Sequence, residues 1–401
     1  MKSSDVLIIC TQLGEATAPY RRLGYFIKYL KSRKLEVSCI GFLQLSRSGI
    51  IKPSRECHKL PIFFSTRNSF IDLLINSIFL MSVAVIILFL RPKIVILSSP
   101  DSCSVVATYL GCKLVRSKLI IDIRDPQEEL MVYRYRKVFL GLIVKIYRQI
   151  NYSIYRRSDG VLGVTEKLVR TIAKEIGRPV YLVPNGADLS IFKPLDKEEA
   201  RLRLGLSQET LFIGYVGGLS LYGYYNILPI LAAIRKVRRE LGIDIKLVAA
   251  GPIYDDYMRR IIEGFRDEFV YLGVLDTKGV ITLLSACDLG VIPRIGDPIY
   301  DYAVPVKFYE YIATGLPIIV IARKRSELAE VVEKNKLGII CEPQDHICLE
   351  KAIETLAMNG GLIDGLRKNV LAFKKYVDRE IGAERLFKLI SELMQTDKLD
   401  A

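Results

Sequence analysis

The stretch Pro305-Val306-Lys307-Phe308-Tyr309-Glu310-Tyr311-Ile312-Ala313-Thr314-Gly315-Leu316-Pro317, followed at once by Ile318-Ile319-Val320-Ile321, reads as a short helix, a stop and a strand. Pro305 suits the first helical position, and Gly315 and Pro317 end the helix. Lys307 and Glu310 fall at i and i+3, on one helix face. A helix N-terminus with a lysine beside it suits phosphate, and a glutamate one turn on can accept two hydrogen bonds from a sugar diol. A helix running straight into a short apolar strand is the repeating unit of an α/β sheet.

The same alternation continues on both sides. In the first half the strand candidates are residues 6–9, 35–40, 94–97, 119–122, 160–164 and 180–183. In the second half they are 211–216, 246–250, 270–272, 289–293, 318–321 and 338–341. Two sets of six near-continuous apolar runs, each interleaved with helical patterns, predict two doubly wound, Rossmann-like parallel-sheet α/β domains. The turn-rich run Pro184-Asn185-Gly186-Ala187-Asp188 joins them. A final helical pattern near 380–394 follows the second sheet and could pack on either domain.

Composition narrows the chemistry. At 401 residues, half of them hydrophobic, the chain has enough apolar surface for two or three cores. Only His58 and His346 are present, which argues against a histidine-built metal site or a Ser-His-Asp triad. The eight cysteines form no CxxC pair, and no secretory pattern precedes Val6-Leu7-Ile8-Ile9. Reduced thiols in a cytoplasmic protein are the expectation.

Charge is unevenly distributed. Residues 1–200 hold 31 Lys and Arg against 17 Asp and Glu, while residues 201–401 hold 27 of each. The whole formal excess of +14 therefore lies in the first half. No nucleic-acid recognition motif accompanies it, so an anionic membrane surface is the expected partner and nucleic acid is not. Residues 73–90 are 18 in a row without a charge, at the threshold of a membrane span. Spanning there would split one parallel sheet across a bilayer, so the run reads as a crossover helix, buried or in contact with lipid. Residues 134–157 mix Tyr, Phe, Leu and Ile with seven Lys and Arg, a pattern suited to an interface.

Four weak signals converge on the carboxyl ends of the second set of strands, where such folds bind ligands. Residues 211–216 lead into Gly217-Gly218, 246–250 into Gly251-Pro252, and 289–293 into Arg294, with Lys307 and Glu310 next. Glycines there let backbone N–H groups approach a phosphate.

The segment 305–317, the turn Val183–Asp188 with Phe192, Ala286–Val291 and Gly338–Ile340 are together similar to the donor half of retaining glycosyltransferases of family 4, which have the two-domain GT-B fold. Asp122-Ile123-Arg124-Asp125, and Gly14 with Arg21, resemble a subgroup of that family acting on surface and lipid-linked glycans. The resemblance implies an acceptor-binding, membrane-facing domain over 1–188, completed by a crossing helix at about 380–396, and a donor-binding domain over 189–379. Glu310 is then the ribose ligand, Gly217 and Gly218 sit by the diphosphate, Gly251 joins the nucleotide-sugar set, and Gly14 approaches the donor from the other domain. Tyr302 stands where the family often has a glutamate, and it takes that place in the nucleotide-sugar set. The family's Arg and Lys after the glycine loop are absent, so Lys307 and Arg294 are expected to stabilise the diphosphate as it leaves. Asp125 is the candidate first-domain carboxylate at the reacting sugar, with an ion-paired turn as its structural alternative. No Asp-x-Asp occurs, so no metal or other cofactor is expected beside a UDP- or GDP-linked sugar.

The resulting expectation is a metal-independent retaining transferase, peripheral to the inner face of a cell membrane, with a lipid-linked or glycan acceptor. Two rivals accompany it: a sugar-nucleotide epimerase or hydrolase on the same fold, and a non-catalytic glycosyltransferase-like subunit.

Overall fold

The structure is a computed structural model that describes residues 4–10, 18–46, 49–51, 58–64, 81–98, 102–126, 140–221 and 223–399. Residues 1–185 with 379–401 form one compact unit, and residues 186–378 the other.

The first unit is built on an eight-stranded sheet of β1 (Val6–Cys10), β2 (Val37–Ser46), β3 (Gly49–Ile51), β4 (His58–Phe64), β5 (Ile94–Ser98), β6 (Lys118–Ile123), β7 (Gly160–Gly163) and β8 (Tyr181–Leu182). Its order is β3-β2-β1-β5-β6-β7-β8, with β4 paired to β2 and every pairing parallel except β2 with β3. β1 and β5 are buried along their whole length, which is why they read as unbroken apolar runs. The sequence predicts six strands here, and β3 and β4 are the two it misses. Lys52, Arg55, Lys59 and Pro61 interrupt the apolar pattern of that segment, and a proline is tolerated in a strand only where its missing N–H is not needed. β2 also runs past its predicted end, because Gly41 pairs with Cys10 instead of stopping the strand.

Helix Arg379–Leu399 packs against helix Ala18–Ser32 and buries Ala383, Leu386, Leu389 and Ile390 in the core formed with Val6, Ile8 and Ile94. Of the apolar run 73–90, residues 81–90 are helical and 73–80 lie outside the described residues. No helix among the described residues is long and apolar enough to cross a membrane. Of the basic-aromatic stretch, residues 140–157 form helix Leu140–Arg157, and 134–139 lie outside the described residues.

The second unit carries a six-stranded, wholly parallel sheet: β9 (Leu211–Val216), β10 (Ile245–Ala250), β11 (Phe269–Tyr271), β12 (Leu289–Pro293), β13 (Ile318–Ile321) and β14 (Gly338–Cys341). These six are the strands the sequence predicts. Their order is β11-β10-β9-β12-β13-β14, so the chain winds outward from β9, then returns to its other side at β12. The gap between the carboxyl ends of β9 and β12 is the topological switch point, the usual ligand crevice of such sheets.

Two glycines let helices lie close to these central strands. Gly214 and Gly290 are partners across β9 and β12. A Cβ at Gly290 would meet the Tyr311 ring at 2.5 Å, and one at Gly214 would meet Cys287 Sγ at 2.9 Å. Asp288, just before β12, takes the Phe212 N–H at 2.8 Å and the Arg201 guanidinium at 2.8 Å, tying helix Lys197–Leu204 to the sheet. Cys341 and Cys348 are joined in a disulfide, and Cys39 is also disulfide-bonded. This corrects the expectation of reduced thiols throughout. The end of β14 and the start of helix His346–Met358 bring the first pair within 5.7 Å Cα to Cα, a tertiary proximity that cysteine spacing does not encode.

Candidate functional site

Helix Val306–Ala313 lies at the switch point, with Pro305 as its N-cap residue rather than its first turn. The glycine at β12 allows this placement, since Tyr311 rests on Gly290 and its hydroxyl accepts the Val216 N–H at 2.9 Å. The helix is thereby fixed to the end of β9, directly beside Gly217 and Gly218. It is buried from Lys307 to Ala313.

Backbone geometry at the strand ends requires glycine. Gly217 and Gly251 hold φ of 148° and 142°, conformations that side chains rarely adopt. A Cβ at Gly251 would lie 2.1 Å from the Gly217 carbonyl oxygen, so the two loops touch backbone to backbone. Tyrosine hydroxyls brace them: Tyr215 donates to the Gly218 carbonyl at 2.9 Å and Tyr271 to the Gly251 carbonyl at 2.7 Å.

Lys307 is the central side chain. Its Nζ stands 3.6 Å from the Tyr225 ring centroid and 4.1 Å from that of Tyr215, and has no hydrogen-bond partner among the described residues. A methyl at Gly217 would come within 2.7 Å of it. Burial lowers the Lys307 pKa from 10.5 to about 7; the Glu310 carboxylate raises it and the Arg294 guanidinium lowers it further. An ammonium held on ring faces, pushed by a second cation and lacking an acceptor, is an arrangement that an anion completes.

Glu310, 3% exposed, lies one helical turn beyond Lys307. Arg294 is buried at the end of β12, and its Nη1 donates to the Tyr300 and Ala303 carbonyls, both at 2.7 Å. Part of its donor fork therefore shapes the loop that carries the 3-10 helix Pro298–Tyr302. In that loop Asp301 is buried and paired with Arg323 at 3.3 Å and Arg325 at 3.2 Å, while Tyr302 is half-buried. A cavity of about 680 Å³ opens at the ends of β12, β13 and β14. Arg294, Arg323, Lys324 and Arg325 line it against the single carboxylate of Glu342, which makes it basic.

The second unit thus gathers Gly217, Gly218, Gly251, Arg294, Lys307 and Glu310 at one end of its sheet, with Tyr302 on the adjoining loop. The sequence reading missed the aromatic partners Tyr215, Tyr225 and Tyr311. Tyr311, four residues after Lys307, shares its helix face and could have been found by spacing; Tyr225 arrives only through its bridge to Arg294.

In the first unit Asp125 is exposed in the bend after β6, and Gly14 lies outside the described residues. The ion-paired carboxylate of this segment is Asp122, within β6, instead. It is 1% exposed, takes the Arg22 guanidinium at 3.1 Å and the Ser98 hydroxyl at 2.7 Å. Arg22 also donates to the Val183 and Pro184 carbonyls, both at 2.8 Å. The sequence reading singled out the exposed Arg21 rather than this buried neighbour.

Residues 210–359 match the family model described as Glycosyl transferases group 1. The chain is 22% identical over 262 residues to Probable glycosyltransferase WbjE of Pseudomonas aeruginosa, a match covering 63% of this chain and 64% of that protein. Among solved structures it resembles sucrose-phosphate synthase from Thermosynechococcus elongatus, with a TM-score of 0.72, 17% identity, and 98% and 99% of the two chains covered. It also resembles Anabaena Alr3699/HepE, solved in complex with UDP, with a TM-score of 0.68, 14% identity, and 98% and 100% covered. These likenesses, with the two doubly wound sheets, define a GT-B fold.

Proposed function

We propose that the protein is a retaining glycosyltransferase that moves a sugar from a UDP- or GDP-linked donor to a lipid-linked or glycan acceptor, at the cytoplasmic face of a cell membrane. The observation that carries this reading is Lys307, a buried ammonium without a hydrogen-bond partner among the described residues, aimed at the glycine end of β9 in the segment that matches the group 1 model.

In this reading Gly217, Gly218 and Gly251 admit the donor diphosphate, and Glu310 takes the ribose diol. Negative charge grows on the diphosphate as the glycosidic bond breaks. Lys307, with Arg294 beside it, stabilises that charge, so no metal is invoked. One such contact is typically worth about 2.7–4 kcal/mol in the transition state. The acceptor hydroxyl attacks on the face the diphosphate leaves and passes its proton to the departing diphosphate oxygen, preserving the anomeric configuration, and Asp125 is assigned to the reacting sugar. Tyr302 in place of a glutamate leaves the sugar end of the donor with fewer polar contacts than the nucleotide end.

The test is thermal-shift screening against a panel of nucleotide sugars, followed by transfer assays with the donor that stabilises most. A donor-selective shift and glycoside formation with retained configuration are expected. Donor consumption without acceptor, or no shift with any nucleotide, overturns the reading.

A further inference from the structure

Three helical segments that adjoin one another in the first unit expose an apolar surface. In residues 81–90, Val83, Ala84, Ile87 and Leu90 are buried, while Met81, Val85, Leu88 and Phe89 face solvent, Phe89 at 83%. Helix Ser102–Val115 packs beside them through Gly111, where a Cβ would stand 3.1 Å from the Ala84 backbone, and it leaves Leu110 and Leu114 exposed. Helix Leu140–Arg157 packs next to that and exposes Leu142, Ile146 and Ile150, an unbroken i, i+4, i+8 stripe. Among the residues of this unit whose burial the structure describes, the only other exposed large hydrophobic is Tyr181. Single exposed apolar side chains are ordinary; nine gathered on adjoining helices mark a docking surface.

The charge on this face has one sign. None of the three segments contains Asp or Glu. Lys113, Lys145, Arg156 and Arg157 are exposed on them. Two copies of such a face repel each other, whereas an anionic surface complements it.

We propose that these three helices lie flat on an anionic lipid bilayer, their apolar stripes entering the boundary between headgroups and acyl chains, with Lys113 and Lys145 at the level of the lipid phosphates. The proposal deepens the membrane part of the function above and is independent of the donor site.

The experiment is co-sedimentation of the full chain with phosphatidylcholine vesicles, with and without phosphatidylglycerol. Wild type should bind the anionic vesicles, and less so as salt rises. The variant Val85→Ser/Phe89→Ser/Leu114→Ser/Ile146→Ser should bind roughly tenfold or more weakly, since each change removes buried apolar surface. Lys113→Gln/Lys145→Gln should reduce the preference for anionic lipid. Unchanged melting and UDP binding identify both variants as folded. Vesicle binding equal to wild type in the apolar variant, or no vesicle binding by wild type, overturns the proposal. Self-association lost on the same substitutions, without lipid binding, overturns it in favour of a second copy. Vesicle binding without UDP binding overturns the donor reading alone.

Discussion

At neutral pH the Lys307 ammonium sits at the midpoint of its own titration, because burial holds its pKa at about 7 against an ordinary 10.5. The unfolded chain therefore binds more protons than the native state between these two values. Stability of the empty protein should rise with pH across that window, a slope missing from Lys307→Met in denaturant melts. A bound diphosphate restores the charged form, so UDP binding should take up close to one proton at pH 8 and weaken as pH climbs above about 7. Calorimetry in buffers of differing ionisation heat reads this directly, and the linkage should vanish in Lys307→Met, with turnover lower by roughly 100- to 1,000-fold. Asp288 illustrates a structural charge instead. Both it and Arg201 are buried, so Asp288→Ala should leave an unpaired guanidinium and lower stability by about 3–5 kcal/mol in urea titrations.

At the scale of elements, helix Val306–Ala313 owes its position to a missing side chain on β12. Gly290→Ala would place a methyl 2.5 Å from the Tyr311 ring, in a packed core with the Val216 hydrogen bond beside it. Overpacking of this kind costs about 1–3 kcal/mol. Because the displaced helix carries Lys307 and Glu310, UDP affinity should fall as well, although residue 290 is no part of the proposed donor contact; titration calorimetry with UDP checks this. The helix itself was legible in the sequence: Pro305 before it, Gly315 at a φ of 76° after it, and Lys307 and Glu310 on one face. The six strands of the second sheet were legible for the same local reason, since strands buried on both faces leave continuous apolar runs. β3 and β4 were not, because charged residues and Pro61 hide the period that an edge strand needs only weakly.

At the scale of the molecule, the last helix belongs to the first unit although it follows the second in the chain. Ala383, Leu386, Leu389 and Ile390 lie in the first core, each large side chain contributing about 1.5–3 kcal/mol by burial. Removing residues 380–401 should therefore unfold or loosen the first unit while leaving residues 186–378 protected, as hydrogen exchange would resolve unit by unit. The sequence by itself determined the α/β class, the strands of the second sheet and the placing of Lys307 and Glu310 one turn apart on a short helix, because periodicity, caps and glycine stops act over a few residues. Only the tertiary structure decided that Tyr215 and Tyr225 box the Lys307 ammonium, that Asp122 rather than Asp125 is paired, and to which of its neighbours, and that three apolar helix faces adjoin. Those facts depend on sheet order and helix packing, which join residues far apart in the chain and leave no local period to read.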